Sequence, residues 1–174
     1  MAISLYDVTV GQYLQIVDAA AGFLERGLKH CADEGANADD LVGKRLAGDM
    51  LPLSFQVASI AHHSIGAIEG VKAGVFSATG GPSMAETYAE LQKTIADTQA
   101  ALRALTPEEV DALAGKDVTF EFGAMKMPFT AEGFLLSFSL PNFYFHASTA
   151  YDVLRANGVP LGKRYFLGAL KMKG

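Results

Sequence analysis

The stretch MAETYAELQKTIADTQAALRAL, residues 84–105, has the most regular hydrophobic pattern of the chain and decides its fold class. Its core positions recur in steps of four and three, which places them on one face of an α-helix. These positions are Met84, Tyr88, Leu91, Ile95, Thr98, Leu102 and Leu105. Ser83 and Glu86 have the spacing of a capping box, so we expect this helix to begin there.

A second stripe lies at the start of the chain and predicts a helix over about residues 5–33. Its core positions are Val10, Leu14, Val17, Ala21, Leu24, Leu28 and Cys31. Ser4, with Asp7 three positions later, can cap its start, and Gly35 can supply a left-handed stop. Both ends of this helix are therefore marked.

The region between these two stripes predicts another long helix, from about residue 49 to residue 72. Pro52 is tolerated there because it would fall in the first turn. The predicted core face consists of Leu53, Val57, Ile60, Ser64, Ile68 and Val71. With the last long helix described next, the chain has the four helices of a bundle.

The second half of the chain changes period. Residues 106–109 predict a short capped helix, and the alternation in residues 117–129 predicts a β-hairpin with its turn at residues 123–124. Thr130 can cap a helix that Pro141 kinks or restarts, and Asn157-Gly158 ends it. The fold class predicted is all-α, a four-helix bundle with a small β-hairpin before the last long helix, forming a single domain over residues 1–174.

Composition limits the classes of function. The chain has 174 residues, of which 50% are hydrophobic, a single cysteine and a net charge of −5. No apolar run approaches the ~18 residues of a membrane span. The basic residues are dispersed, which disfavours nucleic acid, and the N-terminal residues lack the features of a signal peptide. We expect a cytoplasmic protein whose partners are a small molecule or a second copy of itself.

Polar side chains recur on the inward face of the last long helix. Asn142, His146, Thr149 and Val153 share one face at 100° per residue. Burying an amide, an imidazole and a hydroxyl without partners costs a few kcal/mol. The three groups therefore satisfy one another in an internal network, hold a metal or water, or line a cavity, and the sequence leaves these alternatives open.

On the preceding long helix, Asp49, Gln56 and His63 recur every seventh position along the edge of the core face. His62 points to the opposite side and is expected in solvent. Asp49 has two interpretations, because it can cap this helix or face His146 across the bundle. In the second case, the carboxylate and the imidazole could bind a divalent ion or act as an acid/base pair.

Three segments resemble a known family. They are SLYDVTVGQYLQ (residues 4–15), RLAGDMLPLSFQV (residues 45–57) and LPNFYFHASTAYDVLRANGVPLGKRYFLG (residues 140–168). They are similar to the family of domains of unknown function numbered nineteen ninety-three, DUF1993, which is grouped with the DinB/YfiT-like superfamily. The resemblance implies an up-down-down-up four-helix bundle. In that superfamily, three histidines often hold a divalent metal, and some members are thiol-dependent transferases or isomerases.

This sequence departs from the histidine pattern that the resemblance implies. An Asn142-x-x-x-His146 pair stands where an H-x-x-x-H pair is expected, and Asp49 stands in place of the histidine on the second helix. The predicted metal residues are therefore Asp49, Asn142 and His146, with zinc, nickel or manganese as candidate ions. Two function classes follow. One is an enzyme or metal-dependent transferase-like protein, and the other is a non-catalytic binding protein or homodimeric scaffold.

Overall fold

The computed structural model describes residues 3–173 and begins with two consecutive helices. These are α1, Leu5–Val8, and α2, Val10–Glu34. Ser4 caps α1 in a capping box, and Gly35 ends α2 at a φ of 68°, both as predicted. The predicted continuous helix is interrupted at Thr9, whose hydroxyl donates a hydrogen bond to its own helix, to the carbonyl of Leu5.

The next helical region is also divided, into α3, Leu53–His62, and α4, Ile65–Ala73. The break lies at Ser64, whose hydroxyl donates to the carbonyl of Ile60 at 2.6 Å. All six predicted core positions of this region are buried. The predicted start at Asp49 is wrong, because Pro52 is the residue that precedes the first turn, and the side chain of Asp49 is exposed in the loop before it.

Helix α5, Tyr88–Ala104, contains most of the hydrophobic stripe predicted over residues 84–105. Six of its seven predicted core positions are buried. The predicted capping box at Ser83 is wrong, because Thr87 and Glu90 form the capping box instead. Met84 is 55% exposed, so a start there would have gained little burial.

A three-stranded sheet lies beside these helices. It consists of β1, Val75–Ser77, β2, Asp117–Phe122, and β3, Met125–Thr130. Strands β2 and β3 form the predicted antiparallel hairpin, and β1 pairs with β2 in parallel. The fold is therefore mostly helical with a small sheet rather than all-α, and β1 was missed because three residues are too few to show a period.

The remaining elements are helical. A 3₁₀ turn covers Ala38–Leu41, and α6, Pro107–Asp111, has the predicted capping box of Thr106 and Glu109. The chain after the sheet runs through α7, Ala131–Phe134, a π-helical segment, Leu135–Ser139, α8, Leu140–Ala156, and α9, Lys163–Leu167. Pro141 lies in the first turn of α8, where its missing N–H is tolerated, so the α-helix restarts there, which is one of the two predicted outcomes.

The core lies between α2, α3, α5 and α8. Helix α2 packs against α5 and α8, and α3 packs against the same two helices. The sheet joins this core through Phe120, whose ring lies 4.8 Å from that of Phe138. Within residues 3–173, no helix combines the length and apolar character that crossing a membrane requires.

Candidate functional site

Three histidine side chains line one open cavity between α3, α8 and the loop that follows β1. His62 and His63 come from the end of α3, and His146 comes from α8. The rings of His62 and His63 are 5.4 Å apart between centroids, and those of His63 and His146 are 5.6 Å apart and almost parallel. The cavity has a volume of about 310 Å³. Its other walls are Phe55, Ala58, Ser59, Ala78, Thr79, Gly81, Pro82 and Met84.

His146 is held by an amide from α3. Its Nδ1 lies 2.8 Å from Oε1 of Gln56, and Nε2 of Gln56 donates to the carbonyl of Leu51 at 2.9 Å. A carbonyl can only accept, so this bond orients the amide and turns its oxygen toward the imidazole. Nδ1 of His146 is therefore the nitrogen that carries the hydrogen.

The backbone of His63 is anchored from the π-helical segment. The hydroxyl of Ser139 donates to the carbonyl of His63 at 2.7 Å, and the hydroxyl of Tyr13 lies 3.1 Å from that of Ser139. Since the single proton of Ser139 goes to the carbonyl, Tyr13 is the donor to Ser139. Because the helix breaks at Ser64, the carbonyl of His63 can accept a hydrogen bond from outside the helix.

The side chain of His63 is less well satisfied than its backbone. Its Nδ1 is buried and has no hydrogen-bond partner among residues 3–173. Aromatic rings surround the imidazole, including Phe76 at 5.6 Å and Phe138 at 5.8 Å between centroids. An unpaired buried nitrogen of this kind costs about 1–3 kcal/mol, so it requires an explanation.

His62 connects the cavity to the sheet. Its Nε2 lies 2.9 Å from the carbonyl of Ser77 and therefore donates to it, while its ring stacks on Phe76 at 4.3 Å. The loop after β1 crosses this ring closely, because a Cβ placed on Gly81 would lie 2.9 Å from Cγ of His62. Only a glycine fits at that position without displacing the imidazole.

The three imidazoles are neutral at neutral pH. Burial lowers the pKa of His63 to about 3, with further lowering from His146 and His62 nearby. Burial also lowers the pKa of His146 to about 4, and His62 contributes in the same direction. For His62, burial lowers the pKa and the bond to Ser77 partly opposes that effect. None of the residues that line the cavity is an acid, a lysine or an arginine.

The structure brings together a different set of residues from the one predicted. Of the predicted metal residues, His146 lines the cavity, whereas Asp49 is exposed in the loop before α3. The amide nitrogen of Asn142 donates to the carbonyl of Phe138, four residues earlier in the π-helical segment. Within residues 3–173, no group of three His, Cys, Asp or Glu side chains is arranged to hold a metal ion. The metal assignment stays a prediction.

His62 was expected in solvent and instead forms part of the cavity wall. The expectation assumed that one continuous helix runs through His62 and His63, but α3 ends there and the chain turns at Ser64. Gln56 and His63, predicted on one edge of the core face, both contact His146. A usable signal for the cavity was the His62-His63 pair followed, after β1, by Gly80-Gly81.

Comparisons with known proteins agree with this fold. The family model described as "Domain of unknown function (DUF1993)" matches residues 5–167. The crystal structure of a DinB family member protein from Shewanella denitrificans is similar at a TM-score of 0.79 and 25% identity, covering 98% of this chain and 95% of that one. No match was found among curated proteins. The chain therefore belongs to the DUF1993 family and has a DinB-like fold.

Proposed function

We propose that this protein binds a small molecule in the histidine-lined cavity between α3 and α8. The observation that carries the proposal is the convergence of His62, His63 and His146 on one space of about 310 Å³. That volume is at the lower end of the range for ligand pockets, which combine apolar walls with a few polar groups. The ligand is therefore of fragment size, or extends out of the cavity.

The energetics of the site support a role in binding. Burial disfavours the charged form of an imidazole, and the unpaired Nδ1 of His63 has a further cost. Apolar side chains of similar size would fill the same space without either cost. Buried polar groups that reduce the stability of the fold in this way are typical of functional sites.

A divalent metal is the second candidate occupant, favoured by the unpaired nitrogen of His63 beside the ring of His146. Neutral imidazoles are good ligands for zinc and nickel, whereas manganese prefers oxygen ligands. The other two predicted ligands do not complete the set as they lie, since Asp49 is exposed and neither Asp49 nor Asn142 lines the cavity. A catalytic zinc site ordinarily has three protein ligands, so we derive no chemistry through a metal.

Two further proposals concern the connectivity of the helices and the oligomeric state. The contacts of α2 and α3 with both α5 and α8 support an up-down-down-up bundle. A homodimeric scaffold is the alternative class of function, favoured by apolar side chains at the hairpin tip, where Phe122 is 57% and Met125 46% exposed. Light scattering of the wild type and of a Phe122→Ser, Met125→Ser double variant tests the dimer, which should dissociate in the variant.

The binding proposal is tested with untagged protein purified without added ligand. Native mass spectrometry and metal analysis report any molecule that purifies with the chain, and ligand-observed NMR with a set of small aromatic fragments reports binding. We expect binding that His146→Ala removes. The matched control is His30→Ala, because His30 lies near the end of α2 and does not line the cavity.

The same preparations separate the two candidate occupants. Stoichiometric metal that both His63→Ala and His146→Ala remove would favour the metal site over the proposed small-molecule pocket. If neither a fragment nor a co-purified molecule responds to His146→Ala, the pocket proposal fails.

A further inference from the structure

We propose that Gln56 is a positioning residue that fixes the tautomer of His146, so that the site takes an uncharged ligand with a hydrogen-bond donor. Hydroxyl, amide and thiol groups are donors of this kind. The part of the proposal that concerns the ligand rests on the proposed function. The part that concerns the tautomer is independent of any ligand.

The first step of the argument is the orientation of Gln56 itself. Its side chain is 2% exposed, so both ends of the amide need partners within the protein. The carbonyl of Leu51, in the loop before α3, accepts from Nε2 at 2.9 Å. The opposite orientation would place the amide oxygen against that carbonyl and lose the bond.

The second step is the effect of this orientation on His146. The amide oxygen of Gln56 accepts from Nδ1 at 2.8 Å, so the neutral ring has its lone pair on Nε2. Nε2 has no protein partner among residues 3–173 and is not fully buried. The rings of Phe55, at 5.8 Å, and Phe145, at 5.2 Å, contact the imidazole at their edges and restrict its rotation.

The third step extends the same reasoning to His62. Its Nε2 donates to the carbonyl of Ser77, so the lone pair of the neutral ring is on Nδ1. His62 and His146 thus each donate their only N–H to a protein acceptor, which leaves the other ring nitrogen of each as an acceptor. Ser59 and Thr79 supply the other polar groups of the wall, and no lysine or arginine lines the cavity.

The chemistry of the preferred ligand follows from these assignments. A ligand with an O–H, N–H or S–H can donate to Nε2 of His146, whereas an anion would be repelled by that lone pair and would find no lysine or arginine among the lining residues to offset its desolvation. An apolar ligand without a donor can fill the space but leaves the acceptor unpaired.

The tautomer is tested on the ligand-free protein by long-range ¹H–¹⁵N NMR of histidine-labelled samples at pH 7. We expect a protonated Nδ1 and an unprotonated Nε2 for His146. Gln56→Leu should release the preference and give a mixture of tautomers. Gln56→Glu, which restores an acceptor oxygen, should keep Nδ1 protonated, and this rescue separates positioning from a merely structural role.

The control for these variants is Gln99→Leu, which removes an exposed glutamine on α5 that bonds to Asp18. It should leave the His146 signals unchanged. Should Gln56→Leu fail to fold, the wild type and Gln56→Glu still decide the question. If His146 of the wild type is protonated at Nε2 rather than at Nδ1, the proposed role of Gln56 is overturned, whatever the ligand experiments show.

The ligand class is tested with phenol, anisole and benzoate, which share a ring and differ in donor and charge. Phenol should bind at least about tenfold more tightly than anisole, since one hydrogen bond to the acceptor is at stake. Benzoate should not bind detectably. In Gln56→Leu, the difference between phenol and anisole should shrink.

Two outcomes of the ligand experiment would contradict the proposal in different ways. Benzoate or anisole binding as well as phenol would overturn the ligand class while leaving the pocket in place. No binding of any probe, together with the stated tautomer in the free protein, would remove the pocket function and the ligand class but retain the positioning role of Gln56.

Discussion

The α2–α5 interface and the α3–α8 interface place their polar groups in opposite ways. Between α2 and α5, the interior is filled by side chains such as Leu24 and Ile95, and the ion pair of Arg103 with Asp18 lies at the exposed edge. Between α3 and α8, the bond of Gln56 to His146 lies inside, beside the cavity. The polar contact of one helix pair is thus exposed, whereas that of the other lies in the interior.

The difference bears on which interface stabilises the fold and which one we propose to bind a ligand. Helices α2 and α5 approach so closely that Gly27 leaves no room for a Cβ against Tyr88, whose hydroxyl donates to the carbonyl of Leu24. A cleft of about 320 Å³ opens at one end of this interface, beside Cys31 and Tyr88, but no histidine is among its lining residues, whereas three histidines line the cavity beside α3. The buried hydroxyl of Tyr88 has a partner, whereas Nδ1 of His63 has none among residues 3–173, which reduces stability. The three predictions below test this contrast.

The largest effect is expected from Ile95→Ala, which truncates a fully buried side chain on the α5 side. The free energy of unfolding should fall by about 3 kcal/mol, because the lost methyl groups leave a void that the surrounding residues only partly fill. Urea denaturation measures this loss. The His146 NMR signals should stay unchanged, and a shift in them would show that the two interfaces are coupled.

A decrease in pH should destabilise the protein through the α3–α8 side. The folded-state pKa values of His63 and His146, about 3 and about 4, lie below the ordinary value of 6.5. Between these values, the unfolded chain binds protons that the folded chain does not, so stability is complete above pH 6.5 and falls as the pH decreases toward 4. After a discount for partial exposure, the loss near pH 4.5 should be about 2 kcal/mol.

Denaturation at a series of pH values measures this slope, and His63→Leu supplies the matched control. Carboxylates titrate in the same range in both proteins, so the difference between the two curves isolates the histidine. The variant should show the shallower slope. Equal slopes would mean that His63 takes up a proton as readily in the folded chain as in the unfolded one.

The smallest effect is expected from His63→Leu at neutral pH, and its sign is opposite to that of a usual core variant. Replacing the ring removes the unpaired Nδ1 and keeps a side chain of similar size, so stability should rise by about 1 kcal/mol. Thermal unfolding measures the change. A destabilised variant would mean that the nitrogen has a partner, such as a bound water, that the substitution removes.

The sequence predicted the helices where their burial is regular. The α5 stripe, except for the exposed Met84, and the core face of α3 and α4 were correct, since apolar residues recur at the helical repeat with only Thr98 and Ser64 as polar members. The α2 stripe was only partly correct. Leu28, predicted to be buried, is 37% exposed, whereas Tyr13, which was not predicted, is fully buried. In α2, apolar residues lie on more than one face, and the period alone does not choose between them.

The candidate site was predicted less well than the fold. His146 was selected for the correct reason, a polar group on an inward helix face, and it does line the cavity. Thr149 and Asn142 share that face, but each bonds back to a carbonyl four residues earlier, at Phe145 and Phe138. Such local bonds depend on the rotamer, which the sequence does not specify.

The sequence by itself determined the family, the helical class and the caps at Ser4, Thr106 and Thr130, because local propensity and hydrophobic period act over a few residues. Tertiary structure decided the break at Ser64, the pairing of β1 with β2 and the position of His62 in the cavity wall. Each of these depends on contacts between residues far apart in the chain, which no local pattern encodes.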